Sequence, residues 1–257
     1  MLTPPEIARS LLAAGESKAR LPFGKRLLLA IWAGAYIALA GVGATAAAVT
    51  VESGSLAKLL SACVFPAGLS MVILAGSELF TGNCLMVMAL LERRITPAQL
   101  LRNWLTVYLG NAMGGAAVAA LAVYSHTASL FGDGLARSMV SIAESKAALG
   151  AGDAFLRGVL CNFLVCLAVW MAAASKRAEG KVIALFFPIL LFVLCGYEHC
   201  IANLYYLPAG AFAAAEYGME TTLTLAGCLK NLAAVTLGNL VGGAALGVGY
   251  RFAYLKE

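Results

Sequence analysis

Ala75-Gly76-Ser77-Glu78-Leu79-Phe80-Thr81-Gly82-Asn83 and Cys195-Gly196-Tyr197-Glu198-His199-Cys200-Ile201-Ala202-Asn203 are one phrase written twice, with Gly76, Glu78 and Asn83 returning as Gly196, Glu198 and Asn203. Each copy interrupts a run of apolar residues. Interruptions at corresponding places of two halves are the sequence sign of a membrane protein built from inverted repeats, whose broken helices meet near the bilayer midplane around a site.

The composition agrees. The chain is 61% hydrophobic and 12% charged, with a mean hydropathy of +0.87, whereas a soluble surface needs roughly twice that share of charge. An all-α, polytopic membrane protein is expected. A spanning helix takes about 20 mostly apolar residues, and six stretches qualify, roughly 26–50, 57–90, 98–124, 152–174, 182–215 and 222–250. The second and fifth carry the interruptions. Hydrocarbon offers no water to open backbone groups, so a break at that depth is tolerated only where it is buried in protein or lines a wet cavity.

Six crossings put the two termini and the second and fourth loops on one face. That face collects Lys18, Arg20, Lys25, Arg26, Arg93, Arg94, Lys176, Arg177, Lys181, Arg251 and Lys256. Short cytoplasmic loops gather Lys and Arg, which predicts cytoplasmic N- and C-termini. The net charge of +5 is what topology requires and needs no nucleic acid. No secretory signal pattern stands at the start. Residues 3–20 read as an amphipathic helix on the inner membrane surface, with a Thr3–Glu6 capping-box pattern, Pro4 and Pro5 in the first turn, and a stripe of Ile7, Leu11, Ala14 and Lys18. The seven cysteines lie in or beside apolar runs with no C-x-x-C pair, so neither a disulfide framework nor a zinc site is expected, and no cofactor.

A second repeat is clearer still. Asn103, Val107, Leu109, Gly110, Asn111, Gly114 and Gly115 recur in order as Asn231, Val235, Leu237, Gly238, Asn239, Gly242 and Gly243. The unit is three helices used twice. Three is odd, so the second copy enters the membrane from the opposite face and the halves are related by a pseudo-twofold axis in its plane. The expected organisation is an interfacial helix over 1–25, a first repeat over 26–124, an exposed outer connection over 125–151, and a second repeat with the C-terminus over 152–257. Glycines four apart, such as Gly110 and Gly114, suit close helix packing.

Each break ends a half-helix inside the membrane, where unpaired backbone N–H groups attract anions. Around the first stand Ser77, Glu78, Thr81 and Asn83; around the second stand Glu198, His199 and Asn203. Ionisable groups at such depth face the protein interior or a cavity. Glu78 and Glu198 are equivalent, which favours carboxylates that hold the loops in shape over proton transfer. His199 and Thr81 are different, because their counterparts are Leu79 and Ile201 and symmetry does not demand them. A histidine exchanges a proton near neutral pH, and a threonine from the opposite break offers a hydroxyl. Phe65, Leu69, Leu79, Phe80 and Phe192 are bulky enough to narrow a route between the breaks. A water channel of this shape would carry Asn-Pro-Ala triplets, which both breaks lack. An intramembrane enzyme would need a nucleophile with a base, or paired carboxylates, and the only candidates are the symmetric Glu78 and Glu198, so the chain reads as a non-enzyme.

Taken together, Ala33-Gly-Ala-Tyr-Ile37, Gly76 to Asn83, Asn103 to Asn111, Cys161-Asn-Phe-Leu-Val-Cys-Leu-Ala-Val-Trp-Met171, Gly196 to Asn203 and Gly238-Asn-Leu-Val-Gly-Gly243 resemble the formate/nitrite transporter family, whose relatives include hydrosulfide channels. The resemblance covers nearly the whole chain. It implies an aquaporin-like protomer of six transmembrane helices, one pore per protomer, and a homopentamer in the bacterial inner membrane. By motif, Thr81 and His199 look like the facing central pair, Phe65, Leu69, Leu79 and Phe192 like constriction residues, Asn162 and Asn239 like pore-side amides, and Lys146 like an outer-vestibule lysine, with Glu198 counted among the pore residues. The implied activity is passage of small monovalent anions of weak acids, formate or nitrite first and hydrosulfide as the alternative, accompanied by protons. Water or a small neutral solute is the distant alternative.

Overall fold

The computed structural model describes residues 1–255; Lys256, counted above among the inner-face cations, lies outside the described residues. Every regular element among them is helical. Apart from 3-10 turns at Cys84–Met86 and Thr127–Ser129, these are, in chain order, α1 (Pro4–Arg20), α2 (Phe23–Ala46), α3 (Gly54–Val64), α4 (Pro66–Ala75), α5 (Phe80–Asn83), α6 (Val87–Leu91), α7 (Pro97–Tyr124), α8 (Gly134–Ala148), α9 (Ala151–Ala173), α10 (Ala178–Leu194), α11 (Cys200–Glu216) and α12 (Leu225–Tyr254).

Among the described residues five stretches are long and apolar enough to cross a membrane: Phe23–Ala46, Gly54–Ala75, Pro97–Tyr124, Ala151–Ala173 and Leu225–Tyr254. The stretch read as a fifth crossing, 182–215, lies within α10 and α11, which are separated by a non-helical segment. The stretch 57–90 is likewise divided, with α3 and α4 followed by a break and then by α5 and α6. Both breaks start the same way. Gly76 (φ +77°) and Gly196 (φ +69°) sit in the left-handed region, where a Cβ is costly and glycine is not. Extended residues follow, Leu79 and His199 being the N-caps of α5 and α11.

Small residues let the long helices touch through their backbones. A Cβ on Gly114 of α7 would lie 2.0 Å from the Ile31 carbonyl oxygen of α2, and one on Gly242 of α12 would lie 2.0 Å from the Val159 oxygen of α9. The pairs α2–α7 and α9–α12 are therefore built alike, as the repeated glycines require.

Two segments depart from the sequence reading. Residues 125–151 are not an exposed connection, because they contain α8, which buries Leu135, Ala136, Met139, Val140 and Ala143, in part against Tyr205, Ala209 and Ala213 of α11. Arg137, Glu144 and Lys146 break the apolar pattern there, so no run of crossing length reveals the helix. Helix α1 has its capping box, with the Thr3 N–H donating to Glu6 Oε2 at 2.7 Å. Its apolar stripe is covered by protein, however. Ile7 and Ala8 pack with Met88 and Trp170, Ala19 packs with Met86 and Ala89, and a Cβ on Gly15 would meet the Ala89 side chain at 3.1 Å.

Candidate functional site

Each break is held by an asparagine from the neighbouring long helix. Asn111 accepts the Phe80 N–H at 3.0 Å and donates to the carbonyls of Ala30 (2.7 Å) and Glu78 (2.9 Å). Asn239 repeats this, accepting the Cys200 N–H at 2.9 Å and donating to Gly158 (2.8 Å) and Glu198 (2.9 Å). The first N–H of the helix after each break and a carbonyl of the loop before it are thus satisfied in the interior, where an unmet backbone group is costly.

The two glutamates sit in matching networks. Lys18 Nζ donates to Glu78 Oε1 at 2.8 Å and to Asn83 Oδ1 at 2.8 Å, while the Asn83 amide donates to Glu78 Oε2 at 2.7 Å and to Asn103 Oδ1 at 2.9 Å. In the other half Lys146 Nζ donates to both oxygens of Glu198, at 2.9 and 3.0 Å, and the Asn203 amide donates to Glu198 Oε2 at 2.7 Å and to Asn231 Oδ1 at 2.8 Å. Asn103 and Asn231 close each ring on the carbonyls of Lys18 and Lys146. The carboxylates are neutralised and nearly saturated with donors, which suits a scaffold. The halves differ at one atom: Asn203 Oδ1 has no partner, because Lys146 takes both Glu198 oxygens where Lys18 divides itself between Glu78 and Asn83.

Between the networks the unmatched pair meets. Thr81 Oγ1 and His199 Nε2 are 2.9 Å apart, with Thr81 fully buried and His199 almost so. His199 caps α11 through its other nitrogen, Nδ1 accepting the Ala202 N–H at 3.0 Å. An accepting Nδ1 carries no proton, so the neutral ring has its hydrogen on Nε2 and donates to Thr81. An imidazolium would have to give up the Ala202 cap. The Thr81 carbonyl accepts from the Asn162 amide at 3.2 Å and from the Cys166 thiol at 3.3 Å.

Two cavities approach this contact. The larger, about 660 Å³, is lined among others by Phe65, Phe192, His199, Lys146, Lys58 and Tyr206. The smaller, about 320 Å³, is lined among others by Leu69, Leu79, Glu78, Asn83 and Lys18. The four apolar residues expected to constrict a route therefore divide two and two. In the larger cavity the Phe65 and Phe192 rings stand edge to face at 5.6 Å, and Phe192 lies stacked 5.9 Å from the His199 ring. Thr81 lines neither cavity and lies between them. Glu198 is bonded to Lys146 and lines neither. Asn162 and Asn239, expected as pore-side amides, also line neither of the two; they are internal braces, the Asn162 amide donating to the Asn239 carbonyl at 2.7 Å.

The sequence model described as Formate/nitrite transporter matches residues 5–253. The chain belongs to the formate/nitrite transporter family. The Formate channel FocA of Haemophilus influenzae is 39% identical over 239 residues, spanning 86% of this chain and 84% of its own length. FocA of Escherichia coli is 34% identical over 274 residues, spanning 100% of this chain and 96% of its own. Among solved structures, one described as an FNT family ion channel is 32% identical with a TM-score of 0.86, covering 96% of this chain and 98% of that one. Another, described as a pentameric formate channel with formate bound, is 33% identical with a TM-score of 0.81, covering 91% and 98%. Membership makes this chain a multi-pass membrane protein of a channel and transporter family, not of an enzyme family.

Within that family frame, Lys18 is a site residue that sequence reasoning does not single out, since there it reads only as a topology charge and as part of an amphipathic stripe. The signal was present, since the register that carries Asn103 onto Asn231 also carries Lys18 onto Lys146 and α1 onto α8.

Proposed function

We propose that this chain is a channel for small monovalent anions of weak acids, with formate or nitrite as the principal substrate. It crosses the inner membrane of a bacterium six times as two inverted three-helix units, keeps both termini in the cytoplasm, and works as a homopentamer with one pore in each protomer. The observation that carries the reading is the Thr81–His199 contact between two cavities that approach it from opposite breaks. The family's formate channels and the formate-bound pentamer support the substrate and the assembly.

The route runs from the cavity beside Lys146, on the outer side, past Phe65 and Phe192 to the waist, and on past Leu79 and Leu69 to the cavity beside Lys18. An anion at the waist takes the Nε2–H of His199 in place of Thr81, and the Thr81 hydroxyl turns to donate as well. A bare charge would meet a large desolvation barrier in the apolar necks. Hydrogen bonding from the two side chains, together with a proton that joins the anion from water, makes the crossing species close to neutral. Glu198 holds the loop and Lys146, and it does not meet the anion.

Flux of formate, nitrite and hydrosulfide into proteoliposomes of the purified protein, at pH 5.5 and 7.5, tests this. Saturable formate or nitrite flux that rises at the lower pH is expected. Hydrosulfide flux exceeding both would move the chain to the alternative within the family, and flux of none of the three would overturn the reading.

A further inference from the structure

The two cavities are not equally charged, although the networks beneath them match. In each, a lysine is committed to a glutamate: Lys18 to Glu78 at 2.8 Å in the smaller, and Lys146 to Glu198 at 2.9 Å in the larger. A contact ion pair presents a dipole, whose field fades faster than that of a single charge. Lys146 is only 15% exposed at its side chain and lies 5.4 Å from the Tyr206 ring, so little of its charge is offered to an incoming anion.

The larger cavity has another lysine. Lys58 of α3 lines it together with His199 and Lys146, is exposed, and has no hydrogen-bond or ion-pair partner among the described residues. The charges in its electrostatic reach include Lys146, Glu198 and Arg157. Arg137 also lines the cavity but is anchored to the Gly132 carbonyl. The smaller cavity has no such free cation among its lining residues, Lys18 being the only basic one. The register that pairs Glu78 with Glu198 puts Ala178 opposite Lys58. Like His199, Lys58 is a residue that the symmetric scaffold does not require.

We infer that Lys58 is the residue that captures the incoming anion on the Lys146 side, and that it gives the channel a sided, salt-dependent affinity. This rests on the anion-channel reading above. An unpaired cation a few ångströms from the bound anion strengthens its capture about threefold in water at low ionic strength, and salt near 150 mM removes roughly half of that attraction.

Initial rates of radiolabelled formate uptake into right-side-out and everted membrane vesicles, at low salt and near 150 mM salt, test it. In right-side-out vesicles the wild-type KM is expected to rise about 1.5-fold with salt, and that of Lys58→Gln to rise less. Lys58→Gln is expected to show the higher KM already at low salt, with the saturating rate little changed, and Lys58→Arg to behave as wild type. Everted vesicles are expected to show neither effect. If Lys58→Gln keeps the wild-type KM and salt dependence while carrying formate, the capture role is wrong and the channel reading stands. If the wild type carries no formate, nitrite or hydrosulfide in either preparation, the reading underneath fails.

Discussion

Asn111 and Asn239 show how much a single side chain does here. Each satisfies two backbone groups that the break exposes in the protein interior and ties them to a carbonyl of an adjoining helix, Ala30 or Gly158. An alanine at either position leaves the two break groups unmet, at about 1 kcal/mol or more apiece. Asn111→Ala is therefore expected to destabilise the protein by about 2 kcal/mol, lowering the thermal unfolding midpoint of detergent-solubilised protein by several degrees; an unchanged midpoint would refute the bracing role. Both asparagines were legible in the sequence as repeat partners. Their task was not, because a repeated residue type fixes equivalence and says nothing of where the amide points. Thr81 and His199 were legible for the opposite reason: mismatch against Ile201 and Leu79 in an otherwise matched phrase singles out residues that a symmetric frame does not need.

The helices repeat that lesson. The broken pairs α4–α5 and α10–α11 could be read from Gly76 and Gly196, since a left-handed glycine before a polar residue ends an apolar run. Helix α8 was hidden by its charges. Its burial depends on α11, which no local pattern shows, and only the register from α1 would have disclosed it. The glycine contacts give a sharp test of the α2–α7 packing. Gly114→Val would drive branched carbons into the Ile31 carbonyl, and it is expected to abolish recovery of folded protein by size-exclusion chromatography, whereas the same change at Gly249, which has open space around it, is expected to be tolerated. At the far end of α8, Glu144 accepts from the Thr222 N–H at 2.7 Å and from the hydroxyls of Thr221 and Thr222. These donors hold its carboxyl below the ordinary 4.5. A depressed folded value stabilises above the unfolded one and is lost as pH falls through the folded one. Hydrogen exchange at the Thr222 amide is therefore expected to be slow at pH 7 and to lose protection only once the pH falls below the ordinary carboxylate value of 4.5, and Glu144→Gln is expected to lose much of that protection at pH 7. Equal protection in the two proteins at pH 7 would contradict this.

Across the molecule, two sets of residues have separate tasks. The matched set, Lys18, Glu78, Asn83, Asn103 and Asn111 with Lys146, Glu198, Asn203, Asn231 and Asn239, holds two breaks in place from opposite halves. The unmatched set, Thr81, His199 and Lys58, comprises the residues that the proposed function and the proposed capture step place on the route. Formate flux through proteoliposomes of His199→Asn, compared with wild type at pH 5.5 and 7.5, isolates the waist, because asparagine still offers an oxygen to cap α11 but is too short to reach Thr81. A fall in flux of about tenfold or more, the worth of one hydrogen bond to a charge, is expected, with a changed pH dependence. A variant that matches wild type in both rate and pH profile would contradict it.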